Sequence, residues 1–142
     1  MDYKNNVGRF VGRIHNLMTK RLNLFYKESE VGITAEQFRL FTHLWESDGI
    51  SQQQLCVPLN RDKAAVTRMV DILEKEGYIK RESDASDRRI NLLFLTKKGK
   101  DIERESTKCV EKLLKLAVQN FSQKEKEELE RLLKKMIQNL DK

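Results

Sequence analysis

The stretch Asn60–Thr96, NRDKAAVTRMVDILEKEGYIKRESDASDRRINLLFLT, joins one helical pattern to two short strand-like runs. Val66, Met69, Val70 and Leu73 recur at steps of three, one and three, which puts them on one face of a helix over about Asp62 to Glu76. That face is apolar and belongs in a core. The other face carries Arg61, Lys63, Thr67, Arg68 and Asp71, with the small Ala64 and Ala65 between them. Short and basic side chains toward its N-terminal end let a helix approach a nucleic-acid duplex closely, and its first N–H groups favour phosphate oxygens. Arg and Lys are also the commonest donors to guanine edges in the major groove. A merely solvated helix face has the same composition, so the segments that follow carry the decision.

Gly77 comes just after the last periodic residue and is a natural helix stop. Tyr78-Ile79-Lys80-Arg81 has strand composition, Ser83-Asp84-Ala85-Ser86-Asp87 is a polar turn cluster, and Ile90 to Leu95 is a β-prone apolar run. The spacing predicts a hairpin whose tip carries Asp87, Arg88 and Arg89. An arginine on a narrow hairpin tip fits the minor groove, whose negative potential attracts it. A plain solvent-exposed turn is the competing reading.

The order helix, helix, polar helix, hairpin resembles the multiple antibiotic resistance regulator (MarR) family. Asp87-Arg88-Arg89, five residues, then Leu95-Thr96 reproduces the family's wing signature Asp-x-Arg-x5-Leu-Thr. Val66-Thr67-Arg68 and Leu73-Glu74-Lys75-Glu76-Gly77-Tyr78-Ile79 look like its recognition helix and exit turn, and Thr96-Lys97-Lys98-Gly99 like the start of its dimerisation helix. The likeness covers nearly the whole chain. It implies a mainly α fold with a small β-hairpin wing: a winged helix-turn-helix over residues 31–96, with dimerisation helices over 1–30 and 97–142.

With 142 residues the chain is one domain by length. Six glycines and the single proline, Pro58, favour long helices and few loops. The formal net charge of +6 permits nucleic-acid binding without requiring it, because residues 61–96 carry 8 basic and 7 acidic side chains. Affinity for DNA must therefore come from the placement of charges on faces. Cys56 and Cys109 have no ligand spacing around them, so neither a disulfide framework nor a metal site is expected. No stretch approaches the roughly 20 apolar residues of a membrane span, and the chain reads as cytoplasmic with reduced thiols. Two histidines, two scattered cysteines and no glycine-rich phosphate loop offer no catalytic constellation and no cofactor site, so an enzyme is not expected.

Along the chain, Val7, Phe10, Val11, Ile14, Leu17, Met18, Leu22 and Phe25 predict a first helix over about Lys4–Glu28. Thr34 and Gln37 form a capping box for a second, about Ala35–Ser47, with Phe38, Phe41, Leu44 and Trp45 inward and Leu40 on a flank. His43 lies among aromatics but has no partner at a metal-ligand spacing. Ser51 with Gln54 predicts a third, short helix through about Val57, which Pro58 is expected to end early; that proline departs from the family pattern. After the hairpin, one helix is expected from Lys97 to about Asn120, striped by Ile102, Ser106, Cys109, Val110, Leu113, Leu114, Ala117 and Phe121. A last one follows Ser122 and Glu125, striped by Leu129, Leu132, Leu133, Met136, Ile137 and Leu140. One small core does not need all of these stripes. Interlocked helices of a homodimer explain them, with a coiled coil as the competitor.

The resemblance implies a regulator that binds double-stranded DNA at a pseudo-palindromic site, as a repressor. Arg61, Lys63, Thr67 and Arg68 would meet the major groove, Ala64 a thymine methyl, Gln52 a phosphate, and Arg88 and Arg89 the minor groove or phosphates. Asp87 would pair with a neighbouring arginine and fix the wing tip. The resemblance also implies a small aromatic or lipophilic effector, for which Phe10, Ile14, His15, Phe41 and Trp45 form a candidate crevice, with core packing as the other reading. A redox switch at Cys56 or Cys109 is a second route. A helical adaptor that binds a protein partner and no DNA is the alternative; it would tolerate substitution of Arg88 and Arg89.

Overall fold

The first helix, α1 (Val7–Glu28), is opened by Asn6, whose side chain accepts from the Arg9 backbone N–H at 3.0 Å in the computed structural model, which describes residues 1–142. It starts three residues later than expected because the Asp2 carboxylate takes the N–H groups of Lys4 and Asn5 into a local turn. Glu30, in the left-handed region, turns the chain toward α2 (Ala35–Glu46). The expected capping box is present: Thr34 Oγ1 accepts from Gln37 N–H at 3.1 Å and Gln37 Oε1 accepts from Thr34 N–H at 3.0 Å. Leu40, expected on a flank, is fully buried beside Phe41 and Leu44, because the core wraps more than one side of this helix.

The expected third helix is replaced by three shorter pieces. Ile50–Ser51 form β1; Gln53–Leu55 make a 3-10 turn; Cys56–Leu59 form α3. Ser51 does cap, accepting from Gln54 N–H at 3.1 Å, but the turn that it opens is the 3-10 one. Pro58 does not cut the helix short. It lies within the first four residues of α3, whose N–H groups have no acceptor inside that helix. The break comes two residues later at Asn60, left-handed at φ 49°, where Arg61 N–H reaches back to Cys56 O at 3.0 Å.

Asp62 caps α4 (Lys63–Lys75) by accepting from Ala65 N–H at 2.7 Å, and Val66, Met69, Val70 and Leu73 are buried as their spacing predicts. Gly77, at φ 81°, lets Tyr78 N–H bond back to Leu73 O at 2.9 Å and aims the chain into β2 (Ile79–Ser83). β3 (Asn91–Leu95) pairs with it antiparallel, Ile79 opposite Leu95 and Arg81 opposite Leu93. The sheet has three strands, ordered β1-β3-β2, since Ile50 and Ser51 also pair with Leu93 and Leu92. The two-stranded hairpin expectation missed β1, whose two residues are too few to show an alternation.

The helix expected from Lys97 is two: α5 (Lys97–Asp101) and α6 (Glu103–Ala117), jointed at Ile102. α7 (Gln123–Leu140) follows Asn120, left-handed at φ 67°, and is opened by the expected Ser122–Glu125 capping box. The core runs through α2, α3, α4 and the sheet. Leu22, Phe25 and Tyr26 from the end of α1 join it, as do Cys109 and Leu113 of α6, so it spans the expected boundaries at residues 30 and 97. The N-terminal half of α1 and the whole of α7 bury no residue. No helix is long and apolar enough to cross a membrane.

Candidate nucleic-acid interface

Arg81 joins the wing to α4. From β2 its Nη2 donates to Asp71 Oδ1 at 2.5 Å and to Thr67 O at 3.3 Å, its Nη1 to Glu74 Oε1 at 3.0 Å, and its Nε to Gln52 Oε1 at 3.2 Å. Its own backbone N–H donates to Glu74 Oε2 at 2.9 Å. The chain continues from Gln52, whose Nε2 donates to Thr67 Oγ1 at 2.5 Å, and from Thr67, whose hydroxyl donates to Lys63 O at 2.8 Å. Gln52 is 8% exposed. Gln52 and Thr67, both expected at the DNA surface, thus spend their side chains on each other and on α4 itself. Asp71 and Glu74 share one guanidinium, which offsets part of their charge, and the arginine side of that cluster is only partly exposed.

The other expected residues divide by partner. Lys63, Arg68 and Arg88 are exposed and make no ion pair, and Ala64 is exposed between the first two. Arg61 is drawn to Glu36 in the first turn of α2 at 2.8 Å. At the wing tip Asp87 accepts from Arg89 Nε at 3.2 Å and from Arg89 N–H at 3.0 Å, the pairing expected of it, while the Arg89 side chain remains 91% exposed. Those two bonds, the side-chain one first, hold the Asp87 carboxyl below its ordinary range. Ser86 does the same for Asp84 through its hydroxyl and its N–H. The tip is closed by Asp84 N–H to Ile90 O at 2.9 Å and Ile90 N–H to Asp87 O at 3.0 Å.

The model of the MarR family matches residues 33–90, which run from the start of α2 through the wing tip. The uncharacterised HTH-type transcriptional regulator YdgJ of Bacillus subtilis is 35% identical over 114 residues, 80% of this chain and 70% of the relative. The chain belongs to the MarR family. A crystal structure of a MarR transcriptional regulator from Methanosarcina mazei superposes with a TM-score of 0.85 at 28% identity, covering 94% of each chain. A MarR variant from E. coli, complexed with operator DNA, superposes at 0.83 with 30% identity, over 92% of this chain and 93% of the other. The family and these relatives are transcriptional regulators and not enzymes, so this MarR-family chain is a transcriptional regulator with a winged-helix fold.

The effector crevice expected for this MarR chain is not formed within one protomer. Phe10, Ile14 and His15 are exposed on the N-terminal half of α1, whereas Phe41 is fully buried and stacks on Trp45 at 5.4 Å. Tyr26, the α1 residue that meets the α2 aromatics through Phe38, is 16 positions beyond Phe10, or about 24 Å along a helix. The five line no common crevice within one protomer. A cleft of about 650 Å³ lies instead between Ser29–Gly32 and α5–α6, with Tyr78 and Ile102 beside Lys97 and Lys98. Neither cysteine is disulfide-bonded; Cys109 is buried, its Sγ 3.6 Å from Ser29 Oγ, and Cys56 is half-buried. Arg81 was missed because a strand arginine reads as a solvated residue. The available signal was the pair Asp71 and Glu74, two carboxylates on a helix meant for phosphate, which require a cation to cover them.

Proposed function

We propose that two copies of this chain bind a pseudo-palindromic duplex site and repress transcription from it, releasing it on binding a small aromatic or lipophilic compound. The observation that carries DNA reading is a set of exposed cations without ion-pair partners, Lys63 and Arg68 on α4 and Arg88 on the wing, with the α4 carboxylates Asp71 and Glu74 paired to Arg81. Lys63, Ala64 and Arg68 meet base edges, and Arg88 and Arg89 the flanking minor groove or phosphates. Arg61 adds a phosphate contact when it exchanges Glu36 for DNA. Gln52, Thr67 and Asp87 shape the surface from within. Homodimerisation is supported by the uncovered apolar residues of α1 (Val7, Phe10, Val11, Ile14) and of α7 (Leu133, Ile137). Two-fold symmetry then places half-sites about 10 base pairs apart.

Selection from random duplexes, followed by titration of the selected site against a scrambled one, tests the reading. Tight, competitor-resistant binding that an Arg88→Ala/Arg89→Ala variant loses is the expected result. Weak binding that is equal for every sequence and unaffected by the variant favours the protein adaptor. A reporter placed behind the selected site tests repression. The effector is assigned to the cleft beside Tyr78, because that residue directly follows the Gly77 joint between α4 and the wing. Trp45, the only tryptophan, donates to Gly99 O next to the cleft residue Lys98, so its emission should shift when a compound that weakens DNA binding is titrated in. An unchanged emission would place the effector elsewhere.

A further inference from the structure

We propose that Arg81 is a positioning residue for sequence reading: without touching DNA, it sets the side-chain conformation that α4 presents to the bases. This rests on the DNA-binding reading above. An arginine has five N–H donors in a fixed fork; here four of them are engaged, by Gln52, Glu74, Asp71 and the Thr67 carbonyl. The bond from Arg81 Nε to Gln52 Oε1 decides which way round the Gln52 amide sits, so its NH2 group faces Thr67. The Gln52 donor then occupies an acceptor position of Thr67 Oγ1, which turns the hydroxyl proton onto Lys63 O. Thr67 stands one turn beyond Lys63 and directly before Arg68, and its rotamer, fixed from behind by a strand of the wing, shapes the surface from which those two cations project.

Arg81 is also poorly placed to be a DNA contact itself. Its side chain is 19% exposed, and its guanidinium is spent on two carboxylates. A lysine at this position keeps the charge but cannot supply the fork: a single ammonium does not reach the Gln52 amide oxygen, the two carboxylates and the Thr67 carbonyl together. Substitution by lysine therefore separates electrostatic compensation from geometric control.

The experiment uses the full chain. Affinities for the selected duplex and for a scrambled duplex are measured at one salt concentration for the wild type, Arg81→Lys, Thr67→Val, their double variant and Gln52→Ala. Arg81→Lys should lower the ratio of selected to scrambled affinity about tenfold, the scale of one misread base pair. The double variant should be no worse than the poorer single one, because both cut the same chain. A parallel fall of both affinities would mark a phosphate contact or a general weakening, and would overturn the proposal. So would losses that simply add. If Arg81→Lys does not fold, Gln52→Ala carries the test, since it breaks the same relay while leaving the carboxylate pairs intact: an unchanged ratio overturns the proposal. A wild type that selects no site overturns the DNA-binding reading itself, and this inference with it.

Discussion

Trp45 Nε1 donates to the Gly99 carbonyl at 3.0 Å, a bond across 54 residues that ties α2 to the first turns after the wing. The indole also stacks on Phe41 and meets the Phe38 ring edge at 5.6 Å. Trp45→Phe keeps an aromatic ring for those contacts and leaves the half-buried carbonyl without its donor. The cost expected is about 1–3 kcal/mol, read from urea unfolding followed by circular dichroism. A loss under about 0.5 kcal/mol would show that water replaces the indole at no penalty.

Gly99 and Gly32 both border Tyr78, and the contrast between them tests what that residue is fixed to. A Cβ on Gly99 would stand 2.2 Å from the Tyr78 backbone oxygen, and one on Gly32 would stand 2.4 Å from its hydroxyl. The backbone oxygen has nowhere to go: Thr96 N–H and Thr96 Oγ1 both bond to it at 3.0 Å, and it lies between α4 and the sheet. The hydroxyl is the far end of a side chain and can shift toward the cleft. Gly99→Ala is therefore expected to destabilise by about 1–3 kcal/mol or more, and Gly32→Ala by less. Thermal unfolding of the two variants side by side decides; equal losses would mean that the Tyr78 ring is held as rigidly as its backbone.

What was legible in the sequence divides along physical lines. The apolar stripe Val66, Met69, Val70, Leu73 and the caps at Thr34 and Ser122 are local signals, and the structure realises them. β1 was not legible because it is held by partners some 40 positions away in β3, with no pattern of its own. The Ile102 joint was hidden by an apolar period that runs on through it. The exposed cations Lys63, Arg68 and Arg88 were readable one residue at a time. The roles of Gln52, Thr67 and Arg81 were not, since they exist only as a chain of hydrogen bonds between β2, α4 and the turn before α3.

Two carboxylates hold the wing tip. Asp87 is held below its ordinary 3.8 by the Arg89 side chain and then the Arg89 N–H, and Asp84 below 3.8 by the Ser86 hydroxyl and then the Ser86 N–H. A depressed carboxyl favours the folded tip above the unfolded value and gives that contribution up as pH falls through the folded value. The tip should thus be fully formed at neutral pH and loosen only below 3.8. Nuclear magnetic resonance titration of the two carboxyl carbons, with the amides of Ser86 and Arg89 as companions, is the check. Midpoints at or above 3.8 would mean that the tip bonds are not made in solution.

The last helix gives the sharpest test of assembly. α7 is 18 residues long and buries none of them, yet Leu129, Leu132, Leu133, Ile137 and Leu140 are exposed along it. Helices in proteins owe most of their stability to packing of an amphipathic face, and the internal ion pairs of α7, Arg131 with Glu128 and Lys134 with Glu130, are exposed and add little. In the proposed dimer this apolar side is covered by the equally bare N-terminal half of α1 of a second copy. Leu133→Glu combined with Ile137→Glu places two charges in that contact. Sedimentation velocity should show a dimer for the wild type and a monomer for the variant, with some helical signal lost from α7. A monomer presents one reading head where the dimer presents two, so its affinity for the selected site should fall by about 100-fold or more. A variant that remains dimeric and binds as before would place the interface elsewhere on the chain.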